Sequence, residues 1–131
     1  MPSYDSSRFT PPAPVDRVML RNPDTGVSLE NIPMLLDSGA DVTLIPQSAL
    51  VGLKISLVEN RRYELIGFDG NISLSPVARL DLVFCGRTFR GLFILIDQEW
   101  GIIGRNVINA ISLLLDGPRL VWDEKSRNHL A

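Results

Sequence analysis

The sequence predicts an all-β domain, either a small barrel or a sandwich. Its 131 residues suffice for one domain with its own core. Hydrophobic residues make up 45% and charged residues 21%, a composition typical of folded proteins. Short apolar runs alternate with turn-forming residues at intervals of roughly 8 to 12 residues. These observations favour many short strands connected by tight turns.

The first half of the chain predicts two strands around a turn. Residues 1–14 are rich in serine and proline and are predicted as a flexible arm. The first strand is expected over 17–21, and the turn formers at 22–26 lead into a second strand over 27–36. Pro46 suits the first position of a helix, which predicts one helical turn within 46–50.

The second half predicts two hairpins, a short helix and two final strands. Both hairpins have glycine at the turn, and the helix is indicated by apolar residues at helical spacing. In chain order these elements are the strands 62–66 and 72–74, the strands 77–84 and 88–96, the helix within 104–111, and the strands 113–115 and 119–122. The predicted domain runs over 15–123, and 124–131 form a polar tail.

Charge, hydropathy and cysteine content exclude several classes of function. A net charge of −2 gives no electrostatic reason to expect nucleic acid or an anionic membrane as a partner. No apolar stretch approaches a membrane span, and the N-terminal residues lack the layout of a signal peptide. The single cysteine, Cys85, fits a reducing compartment, so a cytoplasmic location is expected. Neither Cys85 nor His129 has partners for a metal site, and no metal or cofactor is predicted.

Two Asp-Ser/Thr-Gly tripeptides compete as a candidate site. Asp37 ends the apolar run 32–36, and a carboxylate there is costly unless it is hydrogen-bonded or takes part in chemistry. The small residues after it allow a tight turn. Asp24 follows Asn22 and Pro23 with no apolar strand before it, which predicts an ordinary hairpin turn. Asp37 alone could also be a structural residue that caps its turn.

A later segment strengthens the case for Asp37. The turn Asp37-Ser38-Gly39-Ala40, together with Gly-Ile-Ile-Gly-Arg-Asn at 101–106, resembles the retroviral-type aspartic proteases, the retropepsins. Their turn reads Asp-Thr/Ser-Gly-Ala, and their later segment reads Ile-Ile/Leu-Gly-Arg-Asn/Asp. The resemblance covers about 32–115, in the family's order and near its spacing. It implies a closed, mostly antiparallel barrel with one short C-terminal helix, which acts as a homodimer.

The resemblance implies roles for the turn residues. Peptide hydrolysis by carboxylates needs two of them about 3 Å apart, and a two-fold axis would place Asp37 beside its own copy. Ser38 would join the two turns by hydrogen bonds across the axis, and Gly39 completes the motif. Arg105 would form a buried ion pair with Asp41. The alternative for Arg105 is a surface residue on a short helix.

Apolar side chains at the family's pocket positions imply a substrate with hydrophobic residues at the cut bond. The hairpin tip at 67–70 would form the flap that closes over bound peptide, or it is a plain hairpin. Trp100 could instead be a core residue. The implied substrate-binding residues are Ala40, Val42, Leu44, Ile66, Gly67, Phe68, Trp100 and Ile102.

The sequence therefore predicts an aspartic endopeptidase that cuts between hydrophobic residues and has itself and a peptide or protein substrate as partners. Two alternatives remain: a catalytically silent dimeric peptide-binding or assembly module, and an unrelated β-barrel binding domain. The intact Asp37-Ser38-Gly39-Ala40 turn favours the enzyme, because a silent module has no chemical need for the carboxylate.

Overall fold

A computed structural model describes residues 2–59, 62–66 and 70–125. Its elements are β1 (Tyr4–Asp5), β2 (Ala13–Arg21), β3 (Ser28–Leu36), β4 (Leu44–Pro46), α1 (Ala49–Leu53), β5 (Arg62–Ile66), β6 (Ile72–Phe84), β7 (Arg87–Ile96), β8 (Gly101–Ile103), α2 (Arg105–Ile108), β9 (Leu113–Asp116) and β10 (Val121–Glu124). The molecule is mostly β, as the sequence predicts. The helical turn begins at Ala49 and not at Pro46 as predicted, since Pro46 is the last residue of β4.

One large sheet contains eight strands in the order β1-β2-β3-β8-β4-β7-β6-β5. Most neighbours are antiparallel, but β8 runs parallel to β3, and β4 runs parallel to β7. The sheet curls far enough for β2 to pair with β6 as well as with β3. β9 and β10 form a separate two-stranded sheet.

Turn chemistry explains the hairpins. Asn22 and Val27 close the first turn through a hydrogen bond of 2.8 Å from the Asn22 amide to the Val27 carbonyl, and Gly26 has a φ of +79°. Cys85 and Gly86 have φ values of +53° and +70° between β6 and β7. Two consecutive positive φ values suit the right-handed twist of a two-residue hairpin.

The core lies inside the curled sheet. Fully buried side chains from several strands fill it, including Leu20, Met34, Ile45, Leu80 and Ile103. Trp122 of β10 is 2% exposed and packs against Phe84 with ring centroids 5.9 Å apart. Within the described residues, no helix is long and apolar enough to span a membrane.

The N-terminal residues differ from the flexible arm that the sequence predicts. β1 pairs with the start of β2, where Tyr4 lies opposite Pro14 and Asp5 opposite Ala13. Asp5 also accepts hydrogen bonds from the Ser7 and Arg8 amides, both at 2.8 Å. A serine- and proline-rich composition therefore does not preclude order here, because the main sheet offers this segment a strand edge.

Candidate active site

The Asp37 turn (residues 37–40) lies where two parallel strands end together. β3 pairs with β8 so that Leu36 lies opposite Ile103, and the Asp37 amide donates to the Ile103 carbonyl at 3.0 Å. β8 lies between β3 and β4. The two sequence segments that resemble the retropepsin motifs are thus in direct contact.

The turn is closed by its own hydrogen bonds. The Gly39 amide donates to Asp37 Oδ1 at 2.9 Å, and the Ala40 amide donates to the Asp37 carbonyl at 3.1 Å. Asp37 is half-buried and Ser38 is exposed. One carboxylate oxygen of Asp37 is therefore held by the turn.

The start of α2 supports the turn through hydrogen bonds to its backbone. The Arg105 amide donates to the Ala40 carbonyl at 2.8 Å, and Arg105 Nη1 donates to the Ser38 carbonyl at 2.8 Å. A Cβ atom on Gly104 would collide with the Val42 carbonyl and lie 3.0 Å from the Ala40 carbonyl oxygen. Only glycine leaves room for this close approach of backbone.

The expected buried ion pair between Arg105 and Asp41 is wrong. Both residues are exposed, and no ion pair joins them among the residues that the structure describes. The guanidinium of Arg105 instead binds the backbone of the turn, at Ser38. Arg105 thus supports the turn by a different contact from the one expected.

Thr43 is a supporting residue that sequence reasoning missed. Its side chain is buried, donates to Asn106 Oδ1 at 2.7 Å and accepts from the Gly104 amide at 3.0 Å. It thereby joins the segment that follows the turn to the start of α2. The available signal was a hydroxyl residue between Val42 and Leu44 in an apolar run, where a buried polar group needs partners.

Four of the predicted substrate-binding residues surround the turn region. Leu44 lies opposite Ile102 across the β4–β8 pair, and Ala40 and Val42 contribute the carbonyls that lie against Gly104. The side chains of all four are half-buried. They give this region a partly accessible apolar surface.

The other predicted substrate-binding residues lie elsewhere. Ile66 is 72% exposed at the end of β5, one of the two edge strands of the large sheet. Gly67 and Phe68 fall outside the described residues. Trp100 precedes β8 and lies level with a residue of β3 about four positions before Asp37. At ~3.3 Å per residue, Trp100 is therefore about 13 Å from Asp37 along the strand direction. It contacts Phe9 with ring centroids 5.6 Å apart, and the Arg8 guanidinium lies 5.0 Å from its ring.

Asp24 lies in the hairpin turn that the sequence predicts. Its amide donates to Asn22 Oδ1 at 2.9 Å, and its carboxylate, 78% exposed, forms an ion pair with Arg79 at 3.0 Å. Among the described residues, no cluster of three or more His, Cys, Asp or Glu side chains could hold a metal ion.

Comparisons with known proteins agree with this geometry at the level of the fold. No protein-family model and no curated protein sequence matches the chain. The solved structure of EIAV protease, complexed with the inhibitor HBY-793, matches 75% of this chain and 86% of its own, with 21% identity and a TM-score of 0.53. A foamy viral protease-reverse transcriptase with double-stranded DNA matches 72% of this chain and 15% of its own, with 18% identity and a TM-score of 0.47. With its two motif segments joined at the ends of β3 and β8, the chain has a retropepsin-like fold.

Proposed function

We propose that the protein is an aspartic endopeptidase that cuts peptide bonds flanked by hydrophobic residues. The observation that carries the proposal is the Asp37 turn. In a retropepsin-like fold, the turn lies at the junction of β3 and β8, and its Gly39 amide binds one carboxylate oxygen of Asp37. Arg105 at the start of α2 binds the backbone carbonyls of the turn.

The chemistry needs a second carboxylate. Two carboxylates that share one proton can divide the work: one takes a proton from the attacking water, and the other hydrogen-bonds the carbonyl oxygen of the substrate. One chain supplies Asp37 for this purpose, because Asp24 lies in a surface turn and is paired with Arg79. A homodimer with a two-fold axis through the site would supply the other Asp37.

An apolar surface beside the turn supports the dimer. Ser38 borders a cavity of about 370 Å³ whose other walls are mainly apolar side chains of β3, α2 and β9. Leu114 and Leu115 of β9 are 48% and 52% exposed. An exposed apolar surface next to a site that needs a second copy fits an interface between chains.

The β5–β6 hairpin is our proposed flap. Ile66 and Ile72 form its last described pair, and they are 72% and 61% exposed. Apolar side chains held in solvent at the end of a hairpin are costly unless something covers them, and a bound peptide would do so. Gly67 and Phe68 at the tip stay predictions. We also propose that Trp100 extends the substrate-binding surface away from the cut bond.

No cofactor enters the proposed reaction, since water is the nucleophile and the paired carboxylates move its proton. A cytoplasmic location is also part of the proposal and is supported by the single cysteine, which leaves no disulfide to form within the chain.

The test is cleavage of a proteome-derived peptide library, with mass spectrometry of the cut sites. We expect cuts between apolar residues by the wild-type chain and by Asp24→Asn, and none by Asp37→Asn. The two variants remove the same charge from turns of similar sequence, so they are matched. A silent binding module would cut nothing while it still retained peptides. Equal losses in both variants would reject Asp37 as the special carboxylate.

A further inference from the structure

Asp16 is a carboxylate on the inner face of the curled sheet. Side chains alternate along a strand, so Asp16 shares its face of β2 with Val18 and Leu20, which are buried in the core. Across the sheet it lies opposite Met34 of β3, which is fully buried. Asp16 itself is half-buried. A charged group in apolar surroundings is costly unless it is paired.

No ion pair compensates this carboxylate. Asp16 takes part in none of the ion pairs formed by the part of the chain that the structure describes. The side chain of the next residue, Arg17, is exposed and donates to the Asn31 carbonyl at 3.5 Å. Burial therefore raises the pKa of Asp16 above its ordinary value of 3.8, and the hydrogen bond from the Arg17 amide opposes this effect only in part.

The other ionisable groups near Asp16 are mostly acidic. Burial raises the pKa of the Cys85 thiol to about 12, and the carboxylates of Glu124, Asp16 and Asp123 add to this effect. These carboxylates of β2 and β10 thus lie around the same turn between β6 and β7. Arg87 acts on that thiol in the opposite direction, but its guanidinium is bound to Glu124 at 2.7 Å.

The N-terminal segment, residues 2–5, lies beside Asp16. Its first residues and Asp16 line a common cavity of about 230 Å³. Tyr4 lies opposite Pro14 of β2, so its phenol is on the same face of the strand as Asp16, and it packs against the core. Asp5, the next residue, faces the other side. The docked segment therefore separates Asp16 from solvent.

Few bonds hold the N-terminal segment in place. The Tyr4 amide donates to the Leu120 carbonyl at 2.9 Å, and the Trp122 amide of β10 donates to the Pro2 carbonyl at 3.1 Å. Only the two-residue pairing of β1 joins the segment to β2, whereas β2 is also paired with β3 and β6. Chain ends with few contacts open at the lowest free-energy cost.

We propose that Asp16 is a pH-sensitive switch that controls the docking of the N-terminal segment. When its carboxyl group is protonated, the segment stays docked on β2 and β10. When the group is ionised, release of the segment is favoured, because water then reaches the charge while β3 and β6 still hold β2. Release also uncovers the outer edge of β10. This inference goes beyond the proposed peptidase and does not depend on it.

The direction of the switch follows from proton linkage. The pKa of Asp16 is higher in the docked state than in the open state, so the docked state binds the proton more tightly. The cost of docking is absent below pH 3.8 and complete above the raised value. Docking therefore weakens as the pH rises toward neutrality. Paired carboxylates that share one proton also act in acid, so the segment is docked where the proposed peptidase works.

Hydrogen exchange measured by NMR tests the switch, in an Asp37→Asn chain to exclude cutting. Between about pH 4 and about pH 7, the protection factors of the Tyr4 and Trp122 amides, corrected for intrinsic rates, should fall at least about threefold. Amides of the β6–β7 pair are the internal reference and should keep their protection. Unchanged protection at Tyr4 and Trp122, or an equal fall in the reference amides, would overturn the inference.

Two variants test the carboxylate itself. Asp16→Asn and Asp16→Leu do not titrate, so both should keep the higher protection at both pH values; leucine also suits the apolar inner face if asparagine is not tolerated. Asp123→Asn is the matched control, because Asp123 is an exposed carboxylate of β10 in the same region, and it should retain the fall. A fall that persists without the Asp16 carboxylate, or that disappears in Asp123→Asn, contradicts the switch.

A disulfide provides the reciprocal test. Ser3 lies opposite Val121 between two backbone hydrogen bonds, a position that suits a cross-strand disulfide in the Ser3→Cys, Val121→Cys chain. The oxidised chain cannot release the segment, so the Asp16 carboxyl carbon should titrate at a higher pH than in the reduced chain, as measured by NMR. Cys85 interferes little, since its pKa of about 12 leaves little reactive thiolate. Equal titration midpoints, or failure of the disulfide to form, would reject the proposal and leave the peptidase untouched.

Discussion

Arg105 shows how a backbone acceptor can replace an expected ion pair. The guanidinium donates to the Ser38 carbonyl, next to the carboxylate of Asp37, while Asp41 is exposed. The Ser38 carbonyl is an uncharged acceptor whose position is fixed by the backbone, so the Arg105 guanidinium does not need a carboxylate partner. Arg105 can therefore fix the turn without help from the side chain of Asp41.

A double-mutant cycle tests this contact. Arg105→Lys should lower activity, because lysine replaces the guanidinium, whose Nη1 donates to the Ser38 carbonyl, by a compact ammonium of different shape and donor geometry. Asp41→Asn should be nearly neutral. Because the two side chains do not interact, the double variant should equal the sum of the single changes within about 0.5 kcal/mol, measured by kcat/KM and by urea unfolding. A coupling energy well above that value would show that Arg105 and Asp41 form an ion pair after all.

Part of the site was readable from single residues and part was not. The apolar run before Asp37 and the small residues after it predicted a turn at the end of a strand, and the structure has one there. The acceptor of Arg105 and the partners of Thr43 were not readable. Both depend on how closely two segments that are far apart in sequence approach each other in the folded chain. Local sequence patterns carry no information on that spatial distance.

Among the elements, β2, β6 and β7 are held together by one carboxylate. Asp81 of β6 is fully buried and accepts from Arg90 Nε at 2.8 Å and from Arg21 Nε at 3.1 Å. The hydrogen bond from Arg90, followed by that from Arg21, holds the pKa of Asp81 below its ordinary value of 3.8 against the effect of burial. The charged form is thus the one that stabilises the folded state.

Asp81→Asn should reduce stability in a pH-dependent way. Since the folded pKa lies below the unfolded one, the stabilisation is complete above pH 3.8 and is lost as the pH falls toward the lowered value. We expect a loss of about 1.5–3 kcal/mol near neutral pH, and a smaller difference from wild type at about pH 3, by urea unfolding. Asp24→Asn, which breaks an exposed pair, should cost under about 1 kcal/mol. A pH-independent deficit for Asp81→Asn would contradict this.

The junction of β8 and α2 should be intolerant of even one added carbon. Gly104→Ala would drive a methyl group into the Val42 carbonyl, so the turn must shift and activity should fall more than tenfold. Gly91→Ala on β7 is the control, because an added Cβ there meets nothing within 4 Å. Thermal unfolding and peptide cleavage measure both. A wild-type-like Gly104→Ala would mean that the close approach is not required.

The elements themselves were largely predictable, but their pairing was not. Glycine-containing turns marked the hairpins because both strands of a hairpin lie beside their turn in sequence. The parallel β3–β8 pair joins Met34 to Gly101, and nothing local links them. The order of the N-terminal residues is not predictable for the same reason, since their partners are on β2 and β10.

At the scale of the whole molecule, the proposal that two chains share one site predicts that activity depends on the partner. Wild-type chains mixed with an equal amount of Asp37→Asn chains should, after exchange, leave roughly a quarter of the dimers with two carboxylates, so the activity of the mixture falls to roughly a quarter. A site complete in one chain would retain half. Dilution of wild type alone below the dimer dissociation constant should lower specific activity as well. Activity that stays constant on dilution would contradict a site built from two chains.

The parallel β3–β8 pair also determines the order in which parts of the molecule can fold. During synthesis Asp37 leaves the ribosome well before Gly101, and contacts between distant segments form late because the loop between them must close first. The β6–β7 hairpin, whose strands are neighbours in sequence, can form sooner. A growing chain therefore carries Asp37 without the Ile103 carbonyl and the Arg105 side chain that hold its turn. The turn gains these hydrogen bonds only when β8 and α2 are present, so the proposed peptidase would begin to cut only once the domain is nearly folded.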